Sequence, residues 1–275
     1  MKQQTENSLT ESVKSSDGVD ISYQVHGDGS NALVFVHGWC CDKSYWKEQI
    51  NYFKGDYKIV IIDLAGHGES GMGRTSYTIQ MFANDITAVI NQLQLSKYIL
   101  IGHSLGAYVV LEVAVQNSES TYAIFPIDGF GNVPEPKTEE ELQAIEIENR
   151  NRFAEDFKSN VNDFVRGMFV PESDSVLINW VANDMSSNDP SVAMDAYANL
   201  MQYYHRDFSN SLKSVIGIPI ICIGAGQKPQ LEKFRKIHPE FNNLQMEEVG
   251  HFLMMEDPET FNALLNEQLQ QILSN

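Results

Sequence analysis

Short, continuous apolar runs that alternate with helical patterns most limit how this 275-residue chain can fold. The apolar runs lie at residues 32–36, 58–62, 98–101, 122–127, 218–223 and 244–249. Such valine-, isoleucine- and leucine-rich runs are typical of strands covered on both faces, as in a parallel sheet. Helical patterns separate most of them, at residues 45–53, 79–93, 107–116, 230–237 and 258–273. The alternation predicts a doubly wound α/β fold, preceded by a hairpin whose second strand is residues 19–26.

The interval from 129 to 217 departs from this alternation because it contains no convincing strand. It has helical patterns at residues 138–157, 161–168, 175–185 and 190–204, the last opened by Asp189 and Pro190 in cap and first-turn positions. An all-helical insertion between two strands is expected to lie over the carboxyl edge of the sheet, where open α/β sheets bind ligands. The predicted organisation is therefore a core of residues 1–130, a helical lid of residues 131–212, and a second core segment of residues 213–275.

Composition and charge exclude several classes of partner. The formal net charge of −18 disfavours binding to nucleic acid and to anionic bilayers, because both need a basic surface. The negative charge has two interpretations, solubility or the steering of cationic substrates.

Cys40, Cys41 and Cys222 lack the spacing of metal sites and are expected to be free thiols. Without a secretory or transmembrane pattern, a cytoplasmic location is expected, with a removed signal as the alternative.

The strongest functional motif is Gly-His-Ser-Leu-Gly at positions 102–106. It follows the predicted strand 98–101 and precedes the predicted helix 107–116, which is the context of a nucleophile elbow. In such a turn the serine has a strained backbone, and the flanking glycines allow neighbouring chain segments to approach closely. Ser104 is therefore the predicted nucleophile. The Leu105 N–H, at the start of the helix, is a predicted donor to an oxyanion.

Two further motifs supply predicted partners for this serine. The sequence His-Gly-Trp at 37–39 follows the strand 32–36, and its glycine would allow the Trp39 N–H to act as the second oxyanion donor. His251 lies in a loop between the last predicted strand and the last predicted helix, from which it can reach the sheet edge. It is the predicted general base, because imidazole accepts a proton near neutral pH.

Taken together, these motifs resemble the α/β-hydrolase fold superfamily over nearly the whole chain. The resemblance rests on residues 37–39, 63–70, 102–106, 250–252 and 256–259. It implies eight, mostly parallel strands, a helical lid inserted after the sixth strand, and a triad in the order serine, acid, histidine. It says less about the substrate, because this fold supports many reactions.

The acid of the triad departs from the commonest family pattern. Members usually place an aspartate just after the seventh strand, where this chain has residues 224–230 without a carboxylate. Asp128 instead closes the predicted sixth strand, as the acid does in some relatives. An aspartate at the end of an apolar strand is costly unless it is paired, so Asp128 is predicted to pair with His251. The alternatives are a loop or helix cap for Asp128, and Glu232 as the acid.

Among the reactions of such sites, hydrolysis of a small to medium carboxylic ester, lactone or thioester through an acyl-enzyme on Ser104 is the leading prediction. Serine at position 104 excludes the aspartate chemistry of haloalkane dehalogenases and epoxide hydrolases. Amide or C–C hydrolysis, cofactor-free perhydrolase chemistry and hydroxynitrile lyase chemistry remain open. No metal or organic cofactor is needed for the leading reaction. A ligand receptor on a hydrolase scaffold is the alternative from another class, and the oligomeric state is left open.

Overall fold

A single sheet of eight strands organises the computed structural model, which describes residues 10–226 and 230–274. The strands are β1 Glu11–Lys14, β2 Asp20–His26, β3 Ala32–Val36, β4 Lys58–Ile62, β5 Tyr98–His103, β6 Thr121–Ile127, β7 Ile220–Ala225 and β8 Phe241–Met246. Their order in the sheet is β1-β2-β4-β3-β5-β6-β7-β8. Only the pairs β1–β2 and β2–β4 are antiparallel in this sheet. The predicted doubly wound, mostly parallel eight-stranded sheet is confirmed, whereas predictions that fell on residues 1–9, 227–229 and 275 lie outside the described ranges.

Helices follow the strands much as the apolar pattern predicts. They are α1 Lys47–Phe53, α2 Ile79–Gln92, α3 Leu105–Gln116, α4 Glu139–Asn151, α5 Phe157–Arg166, α6 Ser175–Met185, α7 Pro190–Arg206, α8 Phe208–Ser214, α9 Leu231–Ile237, α10 Leu253–Glu256 and α11 Pro258–Leu273. The single helix predicted over residues 138–157 is wrong beyond Asn151, where α4 ends. Asp156 adopts the left-handed conformation, with φ at 48°, and its side chain caps α5 by accepting from the Ser159 N–H. The chain therefore starts a new helix at Phe157.

The register of the central strands determines which residues meet at the carboxyl edge. Every residue of β3 and β5 is buried, because the sheet is covered on both faces there. In the parallel ladder, Val36 pairs with Gly102. On the other side of β5, His103 pairs with Ile127. The residues that follow these strands therefore leave the sheet side by side at one edge.

The insertion, defined here as residues 131–212, contributes helices α4 to α7 and most of α8, which ends at Ser214. Helix starts in the insertion carry side-chain caps, of which the sequence predicts the one at α7. Asp189 caps α7 with Pro190 in its first turn, and Thr138 forms a capping box at α4. Within the described chain, no helix is both long enough and apolar enough to cross a membrane.

Several hydrogen bonds fasten the insertion to the loops at the carboxyl edge. The indole N–H of Trp39 donates to the Ala193 carbonyl at 2.7 Å. Asn188 Nδ2 donates to the Cys40 carbonyl at 2.8 Å. The insertion thus covers the edge that the parallel strands expose. That it acts as a separate, mobile lid stays a prediction.

Candidate active site

Ser104 lies at the sharp turn between β5 and α3. Its backbone has φ 52° and ψ −115°, a conformation that a residue with a side chain rarely adopts. A Cβ at Gly102 would lie 2.2 Å from the Gly106 carbonyl oxygen, and one at Gly106 would lie 2.4 Å from the Val36 oxygen. Both glycines are therefore required by close contact between backbones. This is the geometry expected of a nucleophile elbow.

Replacing Gly106 with alanine tests this steric requirement. The added methyl group would collide with rigid backbone of β3, so the free energy of unfolding should fall by about 3 kcal/mol. Urea denaturation followed by circular dichroism measures this change. Gly131→Ala is the matched control, because no atom lies within 4 Å of a Cβ at that position. Equal stability of the two variants would contradict the steric explanation.

His251 and Asp128 meet at the same edge, although they are 123 residues apart in the chain. Asp128 Oδ2 lies 2.6 Å from His251 Nδ1. A carboxylate accepts, so His251 carries its proton on Nδ1 and leaves Nε2 free for a second partner. The other oxygen, Oδ1, accepts from the Ala225 N–H at 2.9 Å. The Asp128 backbone is left-handed, with φ at 45°, and donates to the Ile223 carbonyl, which aims the side chain across β7.

The alternative acid lies elsewhere. Glu232 is an exposed residue in the first turn of α9. Of the carboxylates in residues 10–226 and 230–274, Asp128 is the one hydrogen-bonded to the His251 ring. The structure therefore brings together Asp128 and His251, the pair predicted from the position of Asp128 at the end of the sixth strand, and leaves Glu232 at the surface.

His103 is a residue whose contacts the sequence analysis missed. Its ring is buried, and Nε2 donates to the His251 carbonyl oxygen at 2.9 Å. Burial, and then the neighbouring His251, hold the pKa of His103 well below its ordinary value. His103 therefore stays neutral and ties the loop of His251 to the elbow. A polar side chain directly before Ser104, where the strand is otherwise apolar, was the available signal.

The loop that carries Trp39 is held close to Ser104. A Cβ at Gly38 would lie 2.8 Å from His103 Nδ1 and 3.2 Å from the Ser104 Cβ, so glycine favours this close approach. His37 accepts from the Leu64 N–H at 3.0 Å and donates from Nδ1 to the Gly38 carbonyl. These contacts fix the backbone around Trp39, the predicted oxyanion donor. Leu105, the other predicted donor, is the first residue of α3.

A cavity of about 150 Å³ lies above the serine. Its lining is mostly apolar and consists of Gly38, Trp39, Cys41, His103, Ser104, Phe164, Met168, Met185, Tyr197, Leu200, His251 and Phe252. Five of these residues, from Phe164 to Leu200, belong to the insertion. Phe153, another large apolar residue of the insertion, does not line the cavity; its ring stacks on the Trp39 ring, with the centroids 5.2 Å apart.

Ser104 and His251 face this cavity without a direct hydrogen bond between their side chains in the described structure. Such hydrogen bonds are often loose before a ligand binds.

The cysteine thiols are poor alternative nucleophiles, because burial raises the pKa of Cys41 well above its ordinary value and the pKa of Cys222 to about 12. Within residues 10–226 and 230–274, no group of three or more His, Cys, Asp or Glu side chains is gathered as a metal ion would require.

Comparison with known proteins supports the assignment of the fold. The chain is similar to a bifunctional esterase/perhydrolase of Acinetobacter calcoaceticus, at 26% identity over 81% of this chain and 83% of that protein. It is also similar to the karrikin insensitive 2 receptor IA of Petunia hybrida, at 22% identity over 68% of this chain and 71% of that one. A thermophilic esterase from Thermogutta terrifontis has a similar structure, with a TM-score of 0.81, 19% identity, and coverage of 96% and 99%. The model of the alpha/beta hydrolase family matches residues 33–264. With the expected eight, mostly parallel strands and this match over most of its length, the chain belongs to the alpha/beta hydrolase family.

Proposed function

We propose that this protein is a serine hydrolase that cleaves a small to medium carboxylic ester through an acyl-enzyme on Ser104. The observation that carries the proposal is a strained serine in a small apolar cavity that it shares with His251. The hydrogen bond between His251 and Asp128 supports the proposal further, because it leaves Nε2 of His251 free to take a proton. The arrangement contains the three groups that acyl transfer needs, in positions set by rigid strand ends.

The proposed reaction has two halves. His251 Nε2 takes the Ser104 proton as the hydroxyl oxygen attacks the ester carbonyl, and Asp128 stabilises the imidazolium that forms. The oxyanion is bound by the Trp39 and Leu105 N–H groups, and His251 then gives its proton to the leaving alcohol. In the second half, His251 activates a water molecule that hydrolyses the acyl-enzyme, which releases the acid and restores Ser104.

The relatives are consistent with ester hydrolysis and also define the alternatives. One is described as both an esterase and a perhydrolase, and such an acyl-enzyme could be intercepted by hydrogen peroxide instead of water. Another is a receptor, in which the same scaffold binds a ligand. The polar groups gathered around Ser104 favour catalysis over a purely binding role.

Labelling with a fluorophosphonate probe tests the proposal directly. The wild-type protein should form a covalent adduct at Ser104, which peptide mass spectrometry locates, and it should hydrolyse p-nitrophenyl acetate. A protein that binds ligands without a competent serine would do neither. Adduct formation at another residue, or an absence of labelling, would contradict the proposal.

The size of the cavity predicts a preference for short acyl chains. A volume of about 150 Å³ suits an acetyl or butyryl group, so the kcat/KM for p-nitrophenyl butyrate should exceed that for the octanoate by about 10-fold or more. Leu200→Ala should narrow this difference, because Leu200 lines the cavity. Leu142→Ala is the matched control: Leu142 is buried in α4 and does not line the cavity. Faster hydrolysis of octanoate by the wild type would refute the size argument.

A further inference from the structure

Glu256, the last residue of α10, contacts both sides of the loop that carries His251. Its Oε1 accepts from the Gly250 N–H at 3.0 Å and from the Phe252 N–H at 3.2 Å. The N–H of His251 itself, between them, donates to the Met168 carbonyl at 2.9 Å. Three successive backbone donors of this loop are thus held, two of them by one carboxylate oxygen.

The second oxygen of Glu256 is also engaged. Oε2 accepts a hydrogen bond from the Ser173 hydroxyl, and Ser173 lies in the insertion between α5 and α6. Met168 belongs to the same connecting region of the insertion. One side chain therefore joins the His251 loop to the polypeptide that covers the cavity.

Apart from the hydrogen bond of His103 to the His251 carbonyl oxygen and the buried side chain of Phe252, the loop depends on these backbone contacts for its position. A Cβ at Gly250 would lie 2.3 Å from the Met168 oxygen, so position 250 cannot carry a side chain that would anchor the loop. The Nδ1 atom of His251 must stay within hydrogen-bond distance of Asp128 Oδ2, which is 2.6 Å away, while Nε2 must stay in position to take the Ser104 proton. A shift of the loop backbone by about 1 Å would disturb both the hydrogen bond to Asp128 and the position of Nε2 toward Ser104. Misplacement on this scale lowers catalytic rates by about 100-fold.

We infer that Glu256 is a positioning residue, which holds the His251 loop through the Gly250 and Phe252 N–H groups and links it to the insertion through Ser173. This inference rests on the proposed function, because it assigns Glu256 a task in the proton transfer by His251. The hydrogen-bonding capacity of Oε1 carries the effect, rather than the negative charge. Glutamine, which keeps a carbonyl oxygen, should therefore replace glutamate.

The test compares Glu256→Ala with Glu256→Gln on p-nitrophenyl acetate, with rates divided by the concentration of sites titrated by a fluorophosphonate. Glu256→Ala should lower kcat by about 30-fold while KM changes by no more than about 2-fold, because the ring is misplaced and the cavity is intact. Glu256→Gln should stay within about 3-fold of the wild type. Glu259→Ala, which removes an exposed carboxylate in the first turn of α11, is the matched control and should leave kcat unchanged.

A second readout does not depend on activity. The His251 Nδ1 proton, hydrogen-bonded to Asp128, should give a low-field proton NMR signal, which Asp128→Asn identifies by removing it. The signal should persist in Glu256→Gln and broaden or vanish in Glu256→Ala. If Ser104 were not the nucleophile, the wild type would fail to label, yet the NMR comparison would still test the positioning.

Two results would overturn the inference. One is an unchanged kcat per titrated site in Glu256→Ala together with an unchanged low-field signal, which would make Glu256 a purely structural residue. The other is an equal loss of kcat in Glu256→Gln and Glu256→Ala, which would assign the effect to charge. Ser173→Ala refines the outcome: its loss of kcat should be about 3-fold, and it should add nothing in the Glu256→Ala background, because both changes act through one carboxylate.

Discussion

Replacing Ser104 with alanine should lower the rate of ester hydrolysis by about a million-fold, as the loss of the nucleophile does in other serine triads. The physical reason is that no other group shares the position of the hydroxyl at the turn between β5 and α3. The variant should fold as the wild type does, because the alanine side chain is smaller than that of serine and can adopt the same backbone conformation, with φ at 52°. Turnover of p-nitrophenyl acetate, measured beside the thermal midpoint, checks both parts.

The control for this experiment is another serine that is also near the carboxyl edge. Ser187, an exposed residue after α6, should tolerate alanine with no change in turnover. Fluorophosphonate labelling should vanish in Ser104→Ala and persist in Ser187→Ala. Turnover by Ser104→Ala close to that of the wild type would refute the proposed nucleophile and, with it, the acyl-enzyme mechanism.

Replacing Asp128 with asparagine should lower turnover by about ten-thousand-fold. Asparagine offers an N–H to His251 where aspartate offers an acceptor, so the imidazole would turn to the tautomer that has its proton on Nε2. That tautomer cannot accept the Ser104 proton. The imidazolium formed during the reaction would also lose the negative charge that lies 2.6 Å from Nδ1. Turnover of an activated ester at saturating concentration measures the change.

Glu232→Gln belongs in the same experiment because it tests the competing acid. Glu232 is exposed on α9, and its replacement should leave turnover within about 3-fold of the wild type, as surface substitutions usually do. The reverse ranking, with Glu232→Gln the slower enzyme, would show that the acid lies after the seventh strand. It would also require the helix to move, because the described structure places Glu232 at the surface.

Local patterns in the sequence were enough to predict the sheet and the elbow. Continuous apolar runs become buried parallel strands because each strand must be covered on both faces, and this requirement can be read within five or six residues. The elbow is equally local, since strand, turn and helix follow one another in the chain. Ends of elements were less predictable: the break at Asp156 depends on one left-handed residue inside an otherwise helical pattern.

The sequence by itself determined the fold class, the order of the chemistry-bearing segments and the position of Ser104. Only the tertiary structure decided which side chains meet there. Asp128 faces His251 because β6 lies beside β7 in the sheet and the Asp128 N–H is held by Ile223. His103 and Glu256 fix the same loop through backbone atoms, and the sequence marks such residues only as polar side chains, without showing which backbone atoms they bind. Hydrophobic patterning specifies elements, whereas contacts between distant segments depend on how those elements pack together.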